Sequence, residues 1–188
     1  LDAMERPSSR ERAKRVVKAV LGRAGAKERD QLFWPAGFLL LGLVESARAL
    51  EDDTALTAVR DYLQRWLDRG GAVQHVDDAL AGVAALRLHA TAGEAIGKEI
   101  AARVYRFLQG APRDEAGTLL YHPSERNRSV FADGIGMAAM LLAEYGASGE
   151  AEAQLASYAQ HGMDGRTGLP YHGYCLTGAP AGVEDAAA

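Results

Sequence analysis

The sequence repeats a pair of helices three times, and this repeat constrains the fold more than any other feature. In each pair, a helix of small and apolar residues is followed by an amphipathic helix. The apolar helices are expected near residues 34–49, 77–89 and 133–145, and the amphipathic helices near 54–69, 95–108 and 150–160. A repeat of about 45 to 55 residues is typical of stacked helical hairpins. The pattern therefore predicts an all-α protein, with one more amphipathic helix at 9–22.

Acidic residues near the beginnings of the apolar helices bring the repeats into register. Placing Asp78 on Asp133 brings the tight turns at 92–95 and 148–151 to within one residue of each other. Helices rich in glycine and alanine can pack closely around an axis, while amphipathic helices keep a polar face in water. We therefore expect an α/α toroid of helical hairpins that forms one domain over residues 1–188.

Two stretches outside the helices lack a helical period. Residues 110–128 contain several glycines and prolines, and the short run 118–121 is predicted to form a strand of a small hairpin. Residues 162–188 are rich in glycine and proline and are predicted to form a loop region. Each stretch follows an amphipathic helix, so we expect both near the end of the ring where the apolar helices begin.

The helix near 133–145 carries the most informative local sequence. Asp133 stands at the start of an otherwise apolar helix and is followed by Gly134 and Gly136. Glycine in a helix interior costs about 1 kcal/mol relative to alanine. Two glycines therefore indicate that a ligand or a neighbouring helix approaches the backbone there. The alternative is that Asp133 only caps the helix by accepting a backbone N–H.

Charge and cysteine content narrow the function classes. The net charge of −4 and the pI of about 5.7 argue against a nucleic-acid-binding protein. Cys175 is the only cysteine, so the chain has no disulfide framework and no cysteine-rich zinc site, which fits a reducing compartment such as the cytoplasm. The sequence begins at Leu1 rather than Met, so secretion after loss of a leader stays open.

Sequence signals for membranes, metals and phosphates are missing. The longest strongly apolar run, 38–44, is too short to cross a bilayer. The metal-binding spacing HExxH, the phosphate-binding spacing GxxxxGK[ST] and the nucleophile elbow GxSxG do not occur. We therefore expect no metal, no organic cofactor, no membrane partner and no nucleic acid.

Three carboxylates, Asp77, Asp78 and Asp133, are predicted to meet at one end of the ring because all three stand at the starts of apolar helices. The loops at that end supply aromatic and histidine side chains, namely Trp34, Tyr121, His122, Phe131, Tyr171, His172 and Tyr174. Paired carboxylates with aromatic surfaces are what acid/base chemistry on a sugar needs. For Trp34 a place in the core, and for His122 a solvated loop, are the structural alternatives.

Three motifs together resemble the unsaturated glucuronyl and rhamnogalacturonyl hydrolases of glycoside hydrolase families 88 and 105. They are VDDALAG at 76–82, LLYHPSERNRSVFADGIGMAAMLLAEYG at 119–146 and DGRTGLPYHGY at 164–174. The resemblance implies an (α/α)6 barrel, of which this chain supplies about half to two-thirds. It also implies that the chain is part of a longer protein, that its ring is completed by a second copy, or that it is a degenerate relative of the family.

The resemblance also implies site residues and a reaction. Asp133 would be the general acid/base, and Asp77 or Asp78 the second carboxylate. Contacts to the substrate would come from His122, His172, Trp34, Tyr171 and Phe131, the last standing where the family usually has an indole. The substrate would be an oligosaccharide with a terminal Δ4,5-unsaturated uronic acid, and the reaction would begin by hydration of its C4=C5 enol ether. Burial against Phe131, Met137 and Met140 is expected to raise the pKa of Asp133.

Two other functions remain compatible with the residues. One is a different (α/α)6 sugar enzyme, such as an inverting glycosidase or an epimerase. The other is a non-catalytic helical-hairpin module in which Asp77, Asp78 and Asp133 serve only as helix caps. An incomplete ring would leave apolar stripes uncovered, so either self-association through the helices at 9–22 or 150–160 or poor stability is expected in addition. In both cases hydrolase activity is expected to be weak or absent, because the far wall of the pocket would be missing.

Overall fold

The computed structural model describes residues 7–23, 31–121 and 128–176 of the 188-residue chain. These residues form seven α-helices: α1 (Ser9–Arg23), α2 (Trp34–Leu50), α3 (Thr54–Asp68), α4 (Ala79–Ala92), α5 (Ala95–Gly110), α6 (Ala132–Glu144) and α7 (Ser148–His161). A 3₁₀ turn, Val76–Asp78, leads into α4. All six predicted hairpin helices and the leading helix are therefore confirmed.

The helices pack in two layers. The small apolar helices α2, α4 and α6 pack side by side, with α4 in the middle, while α3, α5 and α7 each pack against one or two of them from outside. In α4, the residues from Ala79 to Ala85 are all buried, because alanine, glycine and valine let neighbouring helices approach on every side. The inner layer therefore forms most of the core.

The outer helices follow the expected amphipathic pattern. In α3, Val59, Tyr62, Leu63 and Trp66 are at most 4% exposed, and the polar residues between them face water. In α7, the buried face is smaller and includes a polar side chain, Gln154. The inner–outer alternation predicted from the repeat is thus present across the described residues.

A two-stranded antiparallel sheet lies next to the start of α6. It pairs β1 (Val130–Phe131) with β2 (Gly173–Tyr174), in a register that sets Val130 opposite Tyr174 and Phe131 opposite Gly173. The predicted strand at 118–121 is wrong, because only Leu119 forms an isolated bridge there, with Arg113. The Gln154 side chain of α7 also binds this loop. Its amide oxygen accepts a hydrogen bond from Leu119 N–H, and its amide nitrogen donates one to Gly117 O.

Within the part of the chain that the structure describes, no helix is both long and apolar enough to span a membrane.

Candidate active site

Carboxylates from two successive repeats meet at one end of the inner layer. Asp77 lies in the 3₁₀ turn before α4, and Asp133 lies in the first turn of α6, which packs against that 3₁₀ turn. A Cβ atom built on Gly134 would lie 3.0 Å from Asp77 Oδ1. The carboxylate of Asp77 therefore rests against the α6 backbone directly after Asp133. This is the close approach that the glycine predicted, but Gly136 has no neighbour within 4 Å.

Asp77 is a buried carboxyl group with few ways to stabilise a charge. Its side chain is 1% exposed, and its Oδ1 atom has no hydrogen-bond partner among the described residues. Burial, followed by repulsion from Asp133 and Asp78, raises the pKa of Asp77 from 3.8 to about 7. A proton is therefore held on this carboxyl group at close to neutral pH.

Asp78 points away from Asp133 and holds the loop that precedes it. Its Oδ2 atom accepts hydrogen bonds from Gln74 N–H at 2.8 Å and His75 N–H at 3.2 Å. Burial raises the pKa of Asp78, although these two backbone bonds oppose the change. The sequence left open which aspartate is the second carboxylate, and this geometry favours Asp77.

Asp133 is the more exposed of the two carboxyl groups, Asp77 and Asp133. Its side chain is 58% exposed, so the expected burial of Asp133 is wrong, and Met140 is itself 38% exposed. The Oδ1 atom accepts a hydrogen bond from Gly134 N–H at 3.0 Å, and His172 Nε2 lies 4.0 Å from the same oxygen. Asp133 lies inside the first turn of α6, because the N-cap position belongs to Phe131. It is therefore both exposed to ligands and placed beside a histidine.

Aromatic rings form a continuous row beside the two carboxylates. Neighbouring ring centroids lie 5.3 Å apart for Phe33 and His75, 6.0 Å for His75 and Tyr121, 4.9 Å for Tyr121 and Phe131, and 5.1 Å for Phe131 and His172. Burial, together with the charges of Asp77, Asp133 and Asp78, raises the pKa of Tyr121. The row thus brings five separate segments of the chain to the same site.

The small sheet fixes the position of His172. The backbone carbonyl of His172 accepts a hydrogen bond from Ala132 N–H at 2.9 Å, at the first residue of α6. A Cβ atom at Gly173 would lie 2.6 Å from the Phe131 ring, so glycine lets this ring cover the strand. Pairing of β1 with β2 therefore places His172 next to Asp133.

The remaining predicted site residues lie at the ends of this row or outside the described residues. Trp34 is 43% exposed, and its ring lies 6.1 Å from Phe33. Tyr171 is 39% exposed, and its carbonyl accepts a hydrogen bond from Tyr158 at 2.5 Å. His122 lies outside the described residues.

Sequence analysis assigned no role in the site to Phe33 or His75. Phe33 directly precedes the predicted Trp34, and His75 precedes the VDDAL segment. Their positions immediately before predicted elements are the signal that could have identified them. Tyr121 was predicted only as an aromatic residue of a loop, although its ring lies between those of His75 and Phe131.

A cavity of about 420 Å³ is lined by residues that include Phe33, Trp66, Arg69, His75 and Asp78. Asp77 and Asp133 do not line it, so the cavity does not contain this pair of carboxyl groups. Among the described residues, no group of three or more metal-ligating side chains occurs.

Three solved structures are similar to this chain. Two are described as possible members of glycoside hydrolase family 105. The one from Salmonella enterica serovar Paratyphi A has a TM-score of 0.75 at 18% sequence identity, and the match covers 94% of this chain and 55% of the Salmonella chain. The other, from Klebsiella pneumoniae, has a TM-score of 0.72 at 19% identity and covers 94% and 54%. A family 105 glycoside hydrolase from C. acetobutylicum has a TM-score of 0.73 at 15% identity and covers 87% and 49%.

These similarities confirm the predicted α/α toroid of helical hairpins. The chain spans about half the length of the solved structures that it resembles. A search of curated proteins gives no significant match. The sequence matches the model of Glycosyl Hydrolase Family 88 over residues 9–182, which is most of its length. The chain therefore belongs to glycosyl hydrolase family 88.

Proposed function

We propose that this protein takes part in hydrolysis of oligosaccharides that end in a Δ4,5-unsaturated uronic acid. The observation that carries the proposal is the meeting of Asp77 and Asp133, from different repeats, beside His172 and a row of aromatic rings. Membership of family 88 supports a glycoside hydrolase. An unsaturated uronic acid offers what such a site can use, namely an enol ether to protonate, a carboxylate and an apolar ring face.

Asp133 is the proton donor in this proposal because it is the carboxyl group that a substrate can reach. Its proton adds to C4 of the C4=C5 double bond, and water adds at C5 to give a hemiketal. The hemiketal opens by cleavage of the C5–O5 bond, which leaves a ketone at C5 and a hemiacetal at C1. The hemiacetal then collapses to an aldehyde and releases the remaining sugar as an alcohol. Asp133 recovers a proton from the attacking water, so the net reaction consumes one water molecule.

Asp77 acts on this step through Asp133. At 1% exposure it does not contact a substrate, but its charge and that of Asp133 repel each other. Burial and this repulsion keep a proton on Asp77 at close to neutral pH. Asp77 therefore holds an exchangeable proton beside the proposed proton donor.

The aromatic row and His172 are proposed to bind the substrate. His172 is 78% exposed and can donate a hydrogen bond to the uronic carboxylate. Phe131, Trp34 and Tyr171 offer ring faces or edges to the sugar at the same end of the molecule. His122 is part of the proposal from its sequence motif alone.

The test is turnover of unsaturated disaccharides by any active form of this protein. Loss of absorbance from the conjugated double bond reports the rate, and saturated disaccharides of the same sugars test the inverting-glycosidase and epimerase alternatives. Turnover of the unsaturated substrate alone is the expected result. Turnover of the saturated compound alone would overturn the proposal.

A matched pair of variants tests the alternative that Asp133 is only a helix cap. Asp133→Asn should abolish turnover with little loss of stability, because Asn accepts a backbone N–H about as well as Asp. Asp52→Asn is the control, since Asp52 also accepts a backbone N–H at the start of a helix, from Thr54 at 3.0 Å. Equal turnover in both variants would show that Asp133 is not the acid.

A further inference from the structure

The two loops that reach the candidate site are tied to each other by a buried chain of hydroxyl groups. Tyr174, in β2, donates a hydrogen bond to Asp114 Oδ2 at 3.2 Å. The Tyr174 oxygen also lies 3.0 Å from Thr118 Oγ1, which lies 2.6 Å from Ser157 Oγ in α7. Since Tyr174 donates to Asp114, its oxygen accepts from Thr118, and Thr118 accepts from Ser157.

Three members of this hydrogen-bonded network are buried, and the fourth, Ser157, is half-buried. Thr118 is 0% exposed, Tyr174 4% and Asp114 7%. The other carboxylate oxygen of Asp114 accepts hydrogen bonds from Ala116 N–H at 2.9 Å and Thr118 N–H at 2.8 Å. Removing one hydroxyl would leave its partner unsatisfied in a place that water cannot readily reach.

Both ends of this hydrogen-bonded network lie close in sequence to residues of the candidate site. Thr118 is three residues before Tyr121, which packs between His75 and Phe131. Tyr174 is two residues after His172, which lies beside Asp133. The pairing of β1 with β2 spans only two residues in each strand, so the sheet alone gives His172 little support.

We propose that Tyr174 is a positioning residue whose hydroxyl group, through Thr118 and Asp114, holds His172 and Tyr121 in their places around Asp133. The proposal rests on the proposed function, because it concerns how that site is kept in order. Tyr174 does not contact the substrate itself, and acts through His172. Its loss should therefore weaken substrate binding more than the proton transfer.

The first test compares Tyr174→Phe with Tyr62→Phe. Tyr62 is also 4% exposed, and its hydroxyl donates to Gln31 O at 2.7 Å, so the control removes an equally buried hydroxyl elsewhere. Amide hydrogen exchange should become faster at 171–173 and 118–121 in Tyr174→Phe and stay unchanged there in Tyr62→Phe. Unchanged exchange in both variants would overturn the proposal.

The second test asks whether the effect passes through His172. Tyr174→Phe should raise KM several-fold with little change in kcat, and should raise it no further in a His172→Ala background. Thr118→Val should reproduce the effect and Thr118→Ser should not, because serine keeps the hydroxyl. If the effects of the two substitutions on KM multiply in the double variant, Tyr174 acts independently of His172. A parent protein without turnover would overturn the proposed function alone, since the exchange comparison still decides the role of Tyr174.

Discussion

Asp77 makes folding stability depend on pH in an unusual direction. Its pKa is about 7 in the folded protein against an ordinary value of 3.8, so between these values the folded state binds more protons than the unfolded state. Stability contributed by this group is therefore fully present below its ordinary pKa of 3.8, falls as the pH rises from about 4 to about 7, and is lost above that. The two pKa values set an upper limit of about 4 kcal/mol for this loss.

Asp77→Asn should therefore stabilise the protein at pH 8 by up to a few kcal/mol and change its stability little at about pH 3, where the carboxyl group is protonated in both states. The amide has nearly the same shape as the carboxyl group and carries no charge that would be buried. Denaturant unfolding at the two pH values gives the free energy of unfolding directly. The same variant should lose most of its turnover. An equal change in stability at both pH values would show that Asp77 is not protonated in the folded protein.

The sequence was sufficient to predict that the three aspartates lie at the same end of the inner helices, but not to separate their environments. All three stand near helix starts, and residue type and spacing are the same for a cap and for an acid. Their difference lies in burial, which other repeats decide: Asp77 is covered by α6, Asp78 turns back to its own loop, and Asp133 faces outward. This is also why the burial of Asp133 was wrongly predicted from its apolar neighbours.

Among the secondary-structure elements, α6 shows most directly how helix packing serves the site. Gly134→Ala would place a Cβ atom 3.0 Å from Asp77 Oδ1, so the carboxyl group must move by a few tenths of an ångström. Gly136→Ala meets nothing within 4 Å and should stabilise the helix by up to about 1 kcal/mol. We expect reduced turnover and a shifted pH–rate profile only for Gly134→Ala. Matching profiles for the two variants would contradict a tight fit at Gly134.

Arg87 joins the three inner helices at the opposite end from the site. Its guanidinium group in α4 lies 2.6 Å from Glu45 Oε1 in α2 and 2.5 Å from Glu144 Oε1 in α6. The three side chains are 31% to 34% exposed, so water screens these ion pairs only in part. One residue thus links three successive repeats.

Arg87→Met should destabilise the protein by about 1 to 3 kcal/mol, because it leaves two partly buried carboxylates close together without their cation. Arg48→Met is the control, since Arg48 pairs with the same Glu45 at 2.8 Å but is 72% exposed. Its loss should cost less than about 0.5 kcal/mol. Thermal and denaturant unfolding of both variants measures the difference, and similar losses would argue against a structural role for Arg87.

Helices were predictable from the sequence, whereas the loops were not. Periods of apolar residues in α3 and α5, and the runs of small residues in α4, depend only on local spacing and burial. The loop at 111–121 is held by Gln154 and Tyr174, which are 35 or more residues away in sequence. Local propensity at 118–121 favoured a strand, but its backbone pairing with residues 112–114 is limited to one bridge, and a side chain of α7 binds the same segment. No short-range pattern contains that information.

At the scale of the whole molecule, the repeat gave the architecture and the ordered motifs gave the family. The repeat requires inner helices that pack on both sides, and the buried faces of α4 match this requirement. The exposed apolar residues are harder to account for. Phe38 is 60% exposed on α2, and Val16 and Leu155 are 62% and 51% exposed on α1 and α7. These side chains motivate the prediction that copies of the chain associate.

Self-association should take place through α1 or α7, because both helices are in the outer layer and carry exposed apolar side chains. We expect sedimentation velocity to show a concentration-dependent increase in mean mass. Val16→Lys or Leu155→Lys should reduce it by placing a charge on the contacting face. Leu169→Lys is the matched control, since Leu169 is 65% exposed but lies outside both helices. If Leu169→Lys weakens the association and the helix variants leave it unchanged, the contact lies outside α1 and α7. If the protein is a monomer at all concentrations, these side chains are simply solvated.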